Sequence, residues 1–427
     1  MIKAPRSAAL AAVLAAGSLV LAACGGGGES DPNELRLWHY EAPESAMGVA
    51  WSQAIEEFKK THPGVTVKFE EKGFEQIQKT APMVLNSKDA PDVMEYNKGN
   101  ATAGMLSRQG LLEDMTSEVT RRGWDRLLSP NVQVTAKYNA KGTMGGDKWF
   151  GVPNYAEYLQ VYYNKDLFEQ HGVKVPATYA ELVAAMDAFV KKNVVPLTNA
   201  GAEYMAHQFV YQLALDRADR PWVDAFQRYT SKANLTDPAW TYGAATFADW
   251  VKKGYVSRSS VGIKAEDAGV AFMSGKFPMM FSGSWWFGRV AKEAKFEWET
   301  SVWPGAKLTP GSGGNLWVVP KGSKNKKLAY DFIDITMKKH IQNTLGNAGG
   351  IPVAADAAAI TNPKAKKLIE DFNTLARNNS LAYYPDWPVA AFYDRWVAEV
   401  QKLMNGSATP AQALGAVQRA YDDGLPN

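Results

Sequence analysis

Several tryptophans sit in turns, where an indole is free to meet a ligand. Trp285 and Trp286 follow Ser282-Gly283-Ser284, Trp387 lies between Asp386 and Pro388, and Trp317 follows Gly313-Gly314-Asn315-Leu316. Any single one of them can simply cap a core. Flanked by Gly, Ser, Asn or Asp, however, an indole suits a pyranose ring. The apolar C–H face of the sugar stacks on the aromatic plate, and its hydroxyls take a few fixed donors and acceptors nearby. Two adjacent tryptophans on a strand cannot both face inward, so at least one of Trp285 and Trp286 is expected to face a ligand. Trp387 makes a second, separate plate, which favours a ligand of more than one sugar ring.

Other chemistry has weaker support. Glu56-Glu57 and Glu70-Glu71 are adjacent carboxylates, whereas a glycosidase needs two that face each other from separate elements about 5–9.5 Å apart. A secreted glycoside hydrolase is the strongest rival class; it would break the sugar down, and a receptor would return it intact. The chain has no Gly-x-Ser-x-Gly nucleophile turn. Its five histidines, His39, His62, His171, His207 and His340, show no metal-ligand spacing and are expected to be structural or superficial. Polyamine sites gather acids around aromatics and ferric-ion sites cluster tyrosines with His or carboxylate; the Trp–Gly–Asn–Ser character here leans to a neutral polyol. Neither a cofactor nor a metal is expected, and no catalytic residues.

The single cysteine, Cys24, lies between an apolar segment and Gly25–Gly28. Lys3 and Arg6 precede that segment, which is shorter than the about 20 residues a membrane-spanning helix needs and suits an export signal. Leu21-Ala22-Ala23-Cys24 resembles the bacterial lipobox, in which the cysteine is lipidated and becomes the new N-terminus. Residues 1–23 are therefore expected to be a signal peptide, and 24–32 a lipidated, flexible tether holding a globular body at the outer face of the cell membrane. With one cysteine no internal disulfide can form. The 47 Lys and Arg against 44 Asp and Glu leave a near-neutral body once the leader is removed, which argues against nucleic acid as a partner.

The rest of the chain must position these residues. Strand and helix periodicities alternate through residues 35–107, implying a parallel sheet covered by helices. The helix beginning near Ser45 carries Val49, Ile55 and Phe58 as its apolar residues, and Pro82 is expected to kink the helix around residues 74–87. The aromatic stretch from Lys148 to Gly172 is too long for one strand and is expected to leave a first sheet and enter a second. Helices follow at 179–191, 205–215, 222–229 and 240–252; strands at 277–286 and 313–320; then helices at 326–345, 365–375, 390–403 and 410–421.

In their order, these segments resemble the extracellular solute-binding proteins of the maltose-binding-protein-like class. LRLWHYE with Trp38, FKKTHPGVTVKFE, APDVMEYNKG, FMSGKFPMMFSGSWW and GGNLWVVPKGSKNKKLAYDFIDI are each similar to a family segment. The most specific is the Tyr-Asn-Lys-Asp-Leu run in WFGVPNYAEYLQVYYNKDLFEQHGV. The resemblance implies an α/β, two-lobed, type II binding-protein fold with a hinge and one ligand cleft between lobes 33–152 plus 318–365 and 153–317 plus 366–427. It also implies a monomeric sugar receptor that hands its ligand to a membrane permease driven by a cytoplasmic ATPase; a receptor that senses sugar instead is equally compatible.

Site residues follow by position. Glu41 matches a polar contact after the first strand; Tyr96, Asn97 and Asn100 follow the third strand, where the family often carries an acid that is absent here. Tyr155 and Glu157 lie at the first crossing between lobes, and Glu203 and Tyr204 match an acid–aromatic contact in the second lobe. Trp285 matches a stacking tryptophan and Trp286 is this chain's own addition. Gly314 and Asn315 fall at the second crossing, and Asp386 and Trp387 in the last aromatic contact region.

Overall fold

Ser45 opens the first long helix, Ala46–Thr61, by accepting a hydrogen bond from the Gly48 amide at 2.9 Å, which satisfies one of the orphan donors of the first turn. Trp51, Ile55 and Phe58 then recur at helical spacing and are all buried. Val49 is 38 % exposed; it lies nine residues before Phe58, about half a turn out of phase at 3.6 residues per turn. The computed structural model describes residues 31–426. The leader expected at 1–23, the lipidation site Cys24 and the glycines after it lie outside the described residues.

The strands in chain order are β1 (Glu34–His39), β2 (Thr66–Glu71), β3 (Val93–Tyr96), β4 (Lys137–Tyr138), β5 (Lys148–Trp149) and β6 (Val152–Pro153). They continue with β7 (Ala156–Asn164), β8 (Leu197–Thr198), β9 (Met279–Gly283), β10 (Trp298–Ser301), β11 (Gly311–Gly313) and β12 (Leu316–Val318). One sheet runs β2-β1-β3-β12-β6, with β1 parallel to both β2 and β3 and β12 antiparallel to its neighbours. The other runs β10-β7-β9-β8, with β11 also paired to β7. β4 and β5 form a separate hairpin-like pair. The fold is thus α/β and two-lobed, one sheet to each lobe.

The chain changes sheet at two adjacent places. Asn154 and Tyr155 separate β6 from β7, and Gly314 and Asn315 separate β11 from β12. These crossings are hydrogen-bonded to each other, Gly314 N–H to Tyr155 O at 2.7 Å and Asn154 N–H to Asn315 O at 3.1 Å. The long stretch after Lys148 does pass from one sheet to the other, although its end, Lys165–Gln170, is a short helix. The lobe boundary expected at 317/318 falls inside β12, and that at 365/366 inside the helix Pro363–Arg377.

Every residue of β7 is buried, so alternation along it sorts two cores. Tyr158 and Tyr162 belong to the cluster that also holds β1, β3 and the helices Ala46–Thr61 and Lys326–Thr336. Leu159, Val161 and Tyr163 belong to a second cluster with the helices Tyr204–Leu215, Pro238–Lys253, Phe392–Asn405 and Pro410–Gly424. Three expectations are corrected. The helix expected over 326–345 is two, Lys326–Thr336 and Lys339–Asn347, because Lys338 adopts an extended conformation. The helix expected around residues 74–87 stops at Val84, two residues past Pro82. Trp317 is not in a turn: it is fully buried in β12, edge-on to Trp51 at 5.5 Å and Phe332 at 5.2 Å.

Candidate functional site

The two crossings form the floor of a cleft of about 750 Å³ between the lobes. Asn315 Nδ2 donates to the Tyr155 hydroxyl at 2.9 Å, and that hydroxyl donates to Glu157 Oε2 at 2.7 Å. The other Glu157 oxygen takes the Lys98 ammonium, which also lies 4.7 Å over the Tyr384 ring. All four polar groups are buried, so each depends on the next for its hydrogen bonds. Relayed donors of this kind hold side chains in one orientation.

Beside them stands a second acid group. Glu41, just past β1, accepts from Ser45 Oγ at 3.4 Å, and Glu95 on β3 accepts from Asn154 Nδ2 at 2.8 Å. Burial pushes the Glu41 carboxyl up to about 8, and the charge of Glu157 adds to the effect. Glu95 is held well above the usual carboxylate range by burial first and by Glu41 second. A protonated Glu41 both donates and accepts, which matches a hydroxyl. Its neighbour His39 is driven down to about 4 by burial and stays neutral.

The opposite wall is aromatic. β9 ends at Gly283, and Ser284–Trp286 form a single 3₁₀ turn. A Cβ at Gly283 would sit 1.9 Å from the Trp285 ring, and one at Gly269 would sit 2.3 Å from the Trp286 ring. Only glycine at these two positions lets the indoles lie against backbone. Trp285 Nε1 donates to the Tyr204 hydroxyl at 3.3 Å, with the rings edge-to-face at 5.7 Å. Trp286 is nearly buried beneath the Arg289 guanidinium, 5.1 Å from its centroid. Trp387 stacks on Tyr393 at 4.5 Å with 11° between planes. Next to it, Asp386 faces His207 Nε2 at 2.6 Å and accepts from Gln208 Nε2 at 3.4 Å.

This fold of two α/β lobes has known counterparts. A family profile of bacterial extracellular solute-binding proteins matches residues 53–371. The chain belongs to that family. A multiple sugar-binding protein of Streptococcus mutans is 24 % identical to this solute-binding protein over 353 residues, 79 % of this chain and 80 % of the relative. A diacetylchitobiose binding protein of Streptomyces coelicolor is 24 % identical over 367 residues, 80 % of each chain. The same fold is seen in a solved chitin oligosaccharide binding protein, with TM-score 0.78, 19 % identity and coverage of 92 % of this chain and 98 % of the other. It is seen too in a raffinose complex of a binding protein, with TM-score 0.69, 19 % identity and coverage of 91 % and 99 %.

Within this solute-binding protein, Glu41, Asn97, Tyr155, Glu157, Glu203 and Tyr204 line the cleft, as do Trp285, Trp286, Asn315, Asp386 and Trp387. Three expected residues do not. Tyr96 is 1 % exposed and packs into the first core as the last residue of β3. Asn100 is spent on backbone: it donates to Gln227 O and Pro388 O and accepts from Met144 N. Gly314 is covered by the Tyr155 ring, 2.8 Å from where its Cβ would be.

The adjacent tryptophans both reach the cleft because they occupy a 3₁₀ turn, not a strand. Residue types alone missed Lys98, Glu75, Gln208, Tyr384 and Tyr393, which also line the cleft. Lys98 had a signal, since it follows Asn97 directly at the end of β3. His207, expected to be structural or superficial, is wholly buried and holds Asp386 from 179 residues away in the chain.

Proposed function

We propose that this chain is the substrate-binding component of a carbohydrate ABC importer, capturing a di- or oligosaccharide in the cleft and presenting it to a membrane permease. The observation that carries the proposal is the pairing of Trp285, Tyr204 and the Trp387–Tyr393 stack with carboxylates and amides in the same cleft. Ring faces meet the plates; Glu41, Asn97, Glu157, Glu203, Asn315 and Asp386 meet hydroxyls. Hydrogen bonds to charged partners contribute about 1.5–3 kcal/mol each. The relatives named for multiple sugars and for diacetylchitobiose support the same substrate class. The protein acts as a monomer, moored by lipid at Cys24, and its lobes close by rotating about the two crossings.

No bond is broken in this scheme. Both oxygens of Glu157 are engaged, by Lys98 and by Tyr155, which leaves it as a fixed acceptor rather than a nucleophile. A thermal-shift screen over mono-, di- and trisaccharides tests the proposal, because a ligand that binds only the folded state raises the melting temperature. At least one oligosaccharide is expected to raise it and to be recovered intact after overnight incubation. No shift with any sugar, or cleavage of the bound one, overturns the assignment.

A further inference from the structure

The charged side chains of the cleft do not balance: eight Asp and Glu line it against four Lys and Arg. Three of the four cations are already held by acids, Lys98 by Glu157, Arg289 by Glu266 and Glu293, and Lys72 by Glu70. Asp386 is answered by His207. The fourth cation, Lys264, makes no ion pair among the described residues, and five acids, Glu41, Glu44, Glu71, Glu75 and Glu203, are held by no cation of the cleft. Of these, Glu75 and Glu203 come one from each lobe and act on each other's charge.

Glu75 starts the helix Phe74–Val84 of the first lobe, and its Oε1 accepts from the Tyr393 hydroxyl of the other side at 2.9 Å. Its nearest cation, Lys79, is 3.7 Å away but 64 % exposed and therefore largely screened. Glu203 precedes the helix Tyr204–Leu215 and accepts only from the Ala265 amide, at 2.8 Å, among the described residues. Burial raises the Glu75 carboxyl and the Glu203 charge raises it further, so the two feel each other across the cleft. Between them the walls are the faces of Tyr204, Trp285 and Tyr393. Gln208 is 3 % exposed and lines the same end, and its Oε1 has no partner among the described residues.

With Glu75, Glu203 and the unpartnered Gln208 Oε1, that end is rich in acceptors. A neutral hydroxyl both donates and accepts; an ammonium has three donors and no acceptor, and aromatic faces attract it. The two like charges repel each other across the cleft, and a cation placed between Glu75 and Glu203 removes the repulsion where a neutral ring does not.

We propose that the sugar carries a free amine, bound as an ammonium between Glu75 and Glu203 against the Tyr204–Trp285 edge. This rests on the carbohydrate assignment above and narrows it. It departs from the neutral polyol suggested by residue types, because the two carboxylates meet only through the fold.

Calorimetry at pH 7 with matched pairs tests it: glucosamine against glucose, galactosamine against galactose, and the fully deacetylated β-1,4 glucosamine dimer against cellobiose, with spermidine as a non-sugar cation. The amine is expected to bind at least tenfold more tightly than its neutral partner in every pair that binds. Glu75→Gln and Glu203→Gln, each checked for folding by circular dichroism, are expected to cut that preference below threefold. A neutral partner that binds as well as its amine, or a preference unchanged in both variants, overturns the amine subsite and leaves the carbohydrate assignment standing. Binding of spermidine with no sugar, or of no probe at all, overturns both.

Discussion

Trp317 and Trp285 each follow a glycine by two or three residues, and the chain around each reads as a turn. Trp317 is wholly buried; Trp285 is a plate of the cleft. What separates them comes after the glycine. Past Gly314 the chain resumes a strand, and alternation drives Trp317 onto the helices Ala46–Thr61 and Lys326–Thr336. Past Gly283 the strand stops and a 3₁₀ turn begins, which carries both neighbouring indoles toward the cleft. An aromatic beside a glycine therefore says little until the next element is known.

The largest test of that contrast is Trp317→Ala. Emptying a fully packed tryptophan site costs about 3–5 kcal/mol, which lowers the melting temperature of a lobe this size by roughly 6–20 °C. Sugar affinity of the folded protein should be unchanged. A loss of affinity with unchanged melting would reverse the two roles. Trp285→Ala should do the opposite: affinity falls at least about tenfold, near 1.4 kcal/mol, while the ligand-free melting temperature moves by less than about 3 °C. Calorimetry and a thermal melt on the same preparation read both.

The buried acids sharpen the contrast between floor and wall. Burial holds the Glu41 carboxyl at about 8 in the folded chain, against 4.5 for a free glutamate. Between those values the folded state holds the extra proton, so stability falls as pH rises through that window. His39, lowered from 6.5 to about 4, works in the opposite sense, since there the unfolded chain holds the proton and stability rises with pH. Melting temperatures from pH 5 to 8.5 should therefore decline less in Glu41→Gln than in the parent. A parallel decline would show that Glu41 stays ionised. The smallest effect is expected at Thr178→Ala, which removes a capping box far from the cleft at a cost of about 1 kcal/mol. Ligand affinity should not change.

Much of the fold was legible because its elements carry clean periods. β1, the helix from Ser45 and the strand ending at Gly283 all lie close to where pattern placed them. What pattern could not show was pairing at a distance. Asn100 looked like a contact because it follows a strand end, yet its amide is consumed by Gln227 and Pro388, 127 and 288 residues away. The partnership of His207 with Asp386, and the approach of Glu75 to Glu203, likewise come from tertiary structure. Tyr96 failed for a local reason: every residue of β3 is buried, so its last side chain enters the core, and the cleft begins only with Asn97 beyond the strand.

The paired crossings carry one more consequence. With Gly314 bonded to Tyr155 and Asn154 to Asn315, neither connection can swing without the other, so the jaws share a single axle. Tyr155 and Asn315 ride on that axle, where displacement in the proposed rotation is smallest, so a guest held by them keeps its grip however far the jaws turn.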